Sequence, residues 1–389
     1  MTSLTDISAM LALWSACPDH RGALATVAYV KGSAYRRPGA RMLVTSSGGS
    51  AGMISGGCLE DDVREHAAEV IASGEPRIVT YDSTAPEDIV FGLGLGCNGM
   101  VKVLIEPVGA AAPDSECDPL TFLAVCHDRR QSGRMATVFY SENGPASARP
   151  AARLIRWPDD HITANFEDPA LRAQILRTLD DTTGRRAAIR QIPCAGGGRF
   201  GALFETIAPP TSLLIFGAGD DAMPLAQLAK QIGWHVTVID ARPAYAQAGR
   251  FPGADAVLCV QPDAIAQHPQ IALTPGSVAM VMTHSFMRDK AILRTLLPRK
   301  VRYTGVLGPR IRTQRLLDEL AAEGTTFTSE MIVRLHGPAG LDIGAETPEE
   351  IAISILAEMK SVLARREGGP LAHRVGGIHE PVDEAVAAT

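Results

Sequence analysis

The chain has no long hydrophobic run: nowhere do its apolar residues approach the ~20 needed to span a bilayer, so a membrane helix is not expected. It also lacks a strong excess of one charge. Lys+Arg 37 against Asp+Glu 43 leaves a net −6, which offers no electrostatic case for nucleic acid or an anionic lipid surface as partner. The opening MTSLTDISAMLALW has no basic stretch and carries Asp6, which does not fit a signal peptide. Metal-ligand spacings such as C-x-x-C or H-E-x-x-H are missing, as are a P-loop and a defensible Ser-His-Asp spacing. The seven cysteines are odd in number and scattered from 17 to 259, which argues against a disulfide framework and fits a reducing cytoplasm. What is present is ordinary for a globular chain: 46% hydrophobic, 21% charged, over 389 residues, enough for two or three domains.

The pattern along the chain predicts an α/β protein: an N-terminal α+β domain, a middle region that is either a degenerate repeat of it or a chance likeness of two α+β segments, and a C-terminal Rossmann-type domain with a parallel sheet. Residues 1–109 read as the first α+β domain, with a helix over 5–17, strands at 23–31 and 41–46, a turn at Ser47-Gly48-Gly49-Ser50, a helix over 57–72 and a strand over 100–107. Residues 110–210 form the middle region. There Gly133–Tyr140 can be laid over Gly22–Tyr29, Arg153-Leu154-Ile155-Arg156 over Arg41-Met42-Leu43-Val44, and FETIAP at 204–209 over VLIEP at 103–107. This middle copy has no counterpart of the glycine-rich loops of the first. From 211 to 366 strands alternate with glycine turns and helix-like stretches, the pattern of a parallel sheet with crossover helices. The region ends in a helix over 347–364, opened by Thr347 as N-cap, Pro348 and Glu350. Residues 367–389 have little apolar periodicity and are expected to be a mobile tail.

Two constellations carry the candidate chemistry. Gly217-x-Gly219-x-x-Ala222 lies on a strand-to-helix turn, with Asp240 ending the next strand. The glycines permit a tight turn and close approach to a pyrophosphate, and the acid is placed for a ribose hydroxyl. Asp220 and Asp221 follow directly. They suit a helix cap but repel a bare diphosphate, so NAD(P) is not expected to be required. His284 ends the apolar run VAMVMTH, at the strand end where such sheets bind ligands. His336 and Asp342 lie in the turn-rich LHGPAGLDIG, a weaker candidate that reads first as a structural turn. In the N-terminal region, Arg36 and Arg37 share a loop, Gly56-Gly57-Cys58 enters a helix, and Gly92–Cys97 precedes a strand. Glycines leave N–H groups facing an oxyanion, arginines hold phosphates, and a thiol at a helix N-terminus becomes a better soft ligand. The plainer alternative is that Cys58 and Cys97 are small core residues.

These segments resemble the xanthine dehydrogenase accessory family (XdhC/CoxI). GSAYRRPGARMLV, SGGCLE and FGLGLGC are similar to its N-terminal domain; LLIFGAGDDAMPLA, VMTH, YTGVLG and LHGPAGLDIGAETPEEIAISILAEMK are similar to its Rossmann domain. Residues 110–205 resemble nothing identified. The resemblance implies an accessory protein rather than an enzyme, with no catalytic residues. It would bind molybdenum cofactor, as molybdopterin or its cytidine dinucleotide form, protect it, and assist its maturation and insertion into a client xanthine dehydrogenase or aldehyde oxidase-type molybdenum hydroxylase. A cysteine desulfurase or other maturation enzyme as a further partner and a homodimer are also implied. In that setting Cys58 is the candidate molybdenum contact, with Cys97 nearby and Arg36 and Arg37 holding the pterin phosphate. The family reads histidine where this chain has Asp220, and more often an acid where it has Ser285. The alternatives are a nicotinamide-dependent oxidoreductase built on the Rossmann unit and a scaffold without cargo.

Overall fold

A computed structural model describes residues 4–32, 34–82, 99–110, 112, 116–184, 186–194 and 197–375. One compact unit covers Met1–Pro209 and a second covers Pro210–Ile378, so the first and middle regions fold as one unit.

The first unit opens with α1 (Leu4–Ser15), β1 (Arg21–Gly32), β2 (Arg41–Thr45), β3 (Ser50–Gly52), α2 (Glu60–Ser73), β4 (Arg77–Asp82) and β5 (Gly99–Gly109). Then follow α3 (Pro119–Asp128), β6 (Gly133–Glu142), β7 (Arg153–Arg156), β8 (Ile162–Ala164), α4 (Pro169–Asp181), β9 (Ala187–Pro193) and β10 (Arg199–Ile207). The strand orders are β3-β2-β1-β5-β4 and β8-β7-β6-β10-β9, both antiparallel, the same topology twice with helices at the same points. The equivalence is finer than the similarity read from the sequence. Leu24 pairs with Glu106 and Met135 with Glu205, so Glu205 matches Glu106, and the prolines at 107 and 209 are not equivalent. Each sheet also carries a β-bulge at one matching position, at Ala28 in the first and Phe139 in the second.

Each sheet buries one face under its second helix. Val63, Ala67 and Val70 of α2, and Leu171, Ile175 and Leu179 of α4, recur at helical spacing and are buried. Burial of each large aliphatic among them contributes about 1.5–3 kcal/mol. The helices of the second copy have well-formed starts. Asp118 accepts from the Leu120 N–H at 3.1 Å, and Asp168 from those of Ala170 and Leu171 at 3.0 Å, each followed by proline. The two copies meet through Ala28, Leu104, Phe139 and Leu203, and through two reciprocal buried ion pairs. Arg41 of the first copy grips Glu205 of the second at 2.5 and 3.1 Å; Arg153 of the second grips Glu106 of the first at 2.5 and 2.7 Å.

The second unit contains β11 (Ser212–Phe216), α5 (Ala222–Gln231), β12 (His235–Asp240), β13 (Ala256–Cys259), β14 (Ser277–Val281) and α6 (Phe286–Leu296). It continues with β15 (Tyr303–Val306), α7 (Arg310–Ala322), α8 (Ser329–Val333), β16 (Leu335–His336) and α9 (Pro348–Ala364). All its strands are parallel, in the order β13-β12-β11-β14-β15-β16, with α5 and α9 packed into one core and α6 and α7 into the other. The order reverses between β11 and β14, which places a ligand crevice beyond their carboxyl ends. Two of the expected crossover helices are instead short 3-10 turns, Ala248–Arg250 and Pro262–Gln267. Pro243, Pro252, Pro262, Pro269 and Pro275 punctuate those links and prevent longer helices. The capping box of α9 is formed as its residues predict, with Thr347 Oγ1 accepting from the Glu350 N–H and the Glu350 carboxylate accepting from the Thr347 N–H. Of the expected tail, residues 376–389 lie outside the described residues; Leu371–His373 forms a 3-10 turn.

Candidate functional site

In the first unit the structure joins the arginine loop to the glycine–cysteine turn. Arg36 Nε donates to the Met53 carbonyl at 3.1 Å, and its guanidinium pairs with Asp6 of α1. The Tyr35 ring lies over Gly56, where an added Cβ would sit 3.5 Å from it. Arg37 is half-buried, and its carbonyl accepts the Ala40 N–H at 3.0 Å. Cys97 lies outside the described residues.

The turn itself differs from the expected open anion nest. Ser55 Oγ accepts the N–H groups of Gly57 and Cys58 at 3.1 Å and of Leu59 at 3.2 Å. The Glu60 carboxylate accepts those of Ile54 at 3.3 Å, Ser55 at 2.8 Å and Leu59 at 3.2 Å, and also the Ser55 hydroxyl. The chain's own side chains thus take the Gly57, Cys58 and Leu59 N–H groups that this turn was expected to offer a ligand. Burial opposes ionisation of Glu60, but these hydrogen bonds prevail and hold its carboxyl below the ordinary range. The helix is also shorter than expected: α2 begins at Glu60 with Leu59 as N-cap, so Cys58 precedes it instead of sitting in its first turn. What remains is a hydrogen-bond-locked turn that presents Cys58 exposed, with its thiol 3.6 Å from Ser55 Oγ. Gly57, at φ +107°, has open space where a side chain would be. Cys58 is therefore not a core residue.

In the second unit Gly217, at φ +118°, presses its backbone against the end of β14; an added Cβ would lie 2.4 Å from the Met282 carbonyl oxygen. Asp240 ends β12 as predicted, but its carboxylate is fully engaged. It accepts the Ala218 N–H at 2.8 Å and binds Arg242 through Nε at 2.9 Å and Nη2 at 2.7 Å, with its side chain only 2% exposed. Burial disfavours its ionisation, yet the Arg242 and backbone hydrogen bonds outweigh that and lower its pKa. The atoms that would meet a ribose are thus used within the protein. Asp220 and Asp221 each have a partner as well. Arg250 binds Asp220 at 2.6 Å, and His284 Nε2 stands 2.7 Å from Asp221 Oδ2. Asp221 makes no side-chain cap on α5, contrary to the role read for it, because its carboxylate turns to His284. His284 itself adopts a left-handed backbone, φ +57°, a conformation that a residue with a side chain pays for and that clusters at ligand sites. Gly217, Gly219, Asp221 and His284 thus share the crevice at the strand-order reversal.

Several partners were not read from the sequence. Buried Asp289 anchors the turn before α6, accepting from Thr283 Oγ1 at 2.5 Å and from Arg312 at 2.6 Å. His336 does not pair with Asp342: it stacks on Tyr303 and its Nδ1 lies 3.0 Å from Glu358 of α9. Glu358 also accepts the Tyr303 hydroxyl at 2.5 Å and the Gly340 N–H at 2.7 Å, so this group holds the fold together. The available signal was the acid on the inward face of α9. Among the described residues no group of three or more His, Cys, Asp or Glu side chains is arranged to hold a metal ion, and no helix is long and apolar enough to cross a membrane.

The second unit, a parallel sheet with this glycine turn, is a Rossmann-type domain, and it follows a doubled α+β unit that exposes a cysteine turn. Residues 213–359 match the model of the XdhC Rossmann domain, and residues 18–82 that of the XdhC and CoxI family. A probable xanthine dehydrogenase subunit of Bacillus subtilis (strain 168) is 32% identical over 86% of this chain and 91% of its own length. The molybdenum cofactor insertion chaperone PaoD of Escherichia coli (strain K12) is 24% identical over 88% of this chain and 84% of its own. The crystal structure of a xanthine dehydrogenase from Bacillus halodurans superposes with a TM-score of 0.72, at 29% identity, over 93% of this chain and 96% of that one. The chain belongs to the XdhC and CoxI family.

Proposed function

We propose that this protein binds molybdenum cofactor as cargo, shields it, and hands it to a client molybdenum hydroxylase of the xanthine dehydrogenase class. The similarity to a cofactor insertion chaperone supports that role, and one observation in this chain carries it further: Cys58 stands exposed on a turn that Ser55 and Glu60 lock from beneath. A cysteine kept for packing would be buried, as Cys117 and Cys126 are. Thiolate suits a soft molybdenum or its sulfido ligand, and Gly57 leaves the approach open. Arg37 lies on the adjoining loop as the candidate phosphate contact, while Arg36, paired with Asp6, braces that loop. Gly217, Gly219, Asp240 and His284 would shape the second-unit crevice, with Asp240 acting through the glycine turn. Work in the cytoplasm as a homodimer, with a sulfur-donating desulfurase as a further partner, belongs to the same proposal. The form of the cargo, molybdopterin or its cytidine dinucleotide, is left to the assay.

The test is a Cys58→Ser variant loaded with molybdopterin, with bound molybdenum and pterin measured after gel filtration and activation of a cofactor-free client measured alongside. Retention and activation should fall while the melting temperature stays within a few degrees. Cys259→Ser, which removes the other exposed thiol among the described residues, should behave as the parent. Full activation by Cys58→Ser would overturn the assignment.

A further inference from the structure

A half-open cleft of about 260 Å³ lies between the two copies in the first unit. That is close to the lower end of the ~300–1,000 Å³ typical of small-molecule sites. Three aromatic rings line it, Tyr29, Phe139 and Tyr140, together with the cations Lys31, Lys102 and Arg199, and among the described residues no carboxylate does. The paired bulges account for the rings. Ala28 and Phe139 are the equivalent bulged residues, and a bulge re-aims the side chains beside it. Phe139 turns across Gly201, where an added Cβ would approach its ring to 3.1 Å, and packs against Tyr29 with centroids 6.2 Å apart. Lys102 reaches over the Tyr140 ring at 5.4 Å.

The cations are arranged unequally. Arg199 is held at 2.7 Å by Glu142, which also accepts the Tyr140 hydroxyl at 2.6 Å and so fixes one wall. Lys31 and Lys102 make no ion pair among the described residues. A flat ring stacks on aromatic walls whatever its hydrogen-bonding edge, and ammonium groups at the rim take a phosphate.

We propose that this cleft is a second ligand site, which binds a phosphorylated planar heterocycle of about mononucleotide size. It goes beyond the cargo contact assigned to Cys58 and uses none of its residues. A free nucleotide and the phosphate-bearing pterin end of the cargo share this chemistry, and separate probes distinguish them. The purified full chain is titrated calorimetrically with GMP, neopterin monophosphate, guanosine and inorganic phosphate. One of the two phosphorylated heterocycles should bind with a Kd of about 1–100 µM, and guanosine and phosphate at least tenfold more weakly. Tighter GMP identifies a nucleotide site, and tighter neopterin monophosphate a pterin site. Lys102→Gln should weaken binding about fivefold and Tyr140→Leu about tenfold, each with an unchanged circular dichroism spectrum. No saturable binding of either heterocycle at millimolar concentration, or binding indifferent to both substitutions, overturns the proposal. The titration contains no molybdenum and reads no client, so its failure leaves the cargo reading standing, and the reverse also holds.

Discussion

The reciprocal Arg–Glu pairs make a quantitative expectation about what joins the two halves of the first unit. Arg41 and Glu205 have side chains 2% and 3% exposed; Arg153 and Glu106 are 3% and 5% exposed. Removing one partner of such a buried pair strands a charge, at a cost of about 3–5 kcal/mol, whereas replacing both by apolar residues is close to neutral. The two pairs are not equally supported. Arg153 keeps further acceptors in Thr137 Oγ1 and the Cys117 carbonyl, both at 3.1 Å. Among the described residues Arg41 keeps only the Gly39 carbonyl at 3.0 Å, and its Nε finds no partner there. Glu205→Gln should therefore destabilise the unit more than Glu106→Gln, by about one hydrogen bond, ~1 kcal/mol. The Glu106→Leu/Arg153→Met double variant should recover most of the loss. The assay is urea unfolding by fluorescence in a Trp234→Phe background, since Trp14 and Trp157 then report the first unit alone. Losses of ~3–5 kcal/mol correspond to about 6–20 °C in melting temperature for a unit of this size. Single variants costing under ~1 kcal/mol, or a double variant as unstable as its parents, would refute the reasoning.

Two further expectations concern the second unit. Gly217→Ala should cost at least about 2–3 kcal/mol, from its positive φ and from the 2.4 Å approach to the Met282 carbonyl, read as an earlier urea midpoint of Trp234 fluorescence. Glu358 is held below its ordinary pKa: burial raises it, but hydrogen bonds from His336, Tyr303 and the Gly340 N–H outweigh that. A depressed folded pKa gives stability that is whole above the unfolded value, ~4.3, and lost as pH falls through the lower folded one. Unit stability measured from pH 6 to 3 should therefore fall below about pH 4.5, and Glu358→Gln should flatten that limb while lowering stability at neutral pH.

Much was legible from sequence because its cause is local. Glycine at 217, the strand and helix around it and Asp240 at the next strand end follow from steric rules acting within a few residues, as does the Thr347–Glu350 capping box. The doubled topology showed faintly through Thr26 and Thr137, and Arg41 and Arg153, because equivalent positions meet equivalent surroundings. Cys58 stood out as chemistry, but whether it was core or surface was open, since that depends on what packs over it.

Local sequence thus determined the order of elements, the Rossmann turn and the residues rich in chemical potential, since propensity, capping and backbone sterics act over a turn or a strand. Tertiary structure decided which of those residues are available. Arg41 meets Glu205 across 164 positions and Arg153 meets Glu106 across 47, pairings that exist only once two sheets are packed. Long-range contacts likewise occupy Arg36 with Asp6 and, in the second unit, Asp221 with His284, while Asp240 is taken by Arg242 two positions on; Cys58 and the Lys31–Lys102 rim are left facing outward. A side chain's role rests on its solvent and its partners, and long-range contacts set both.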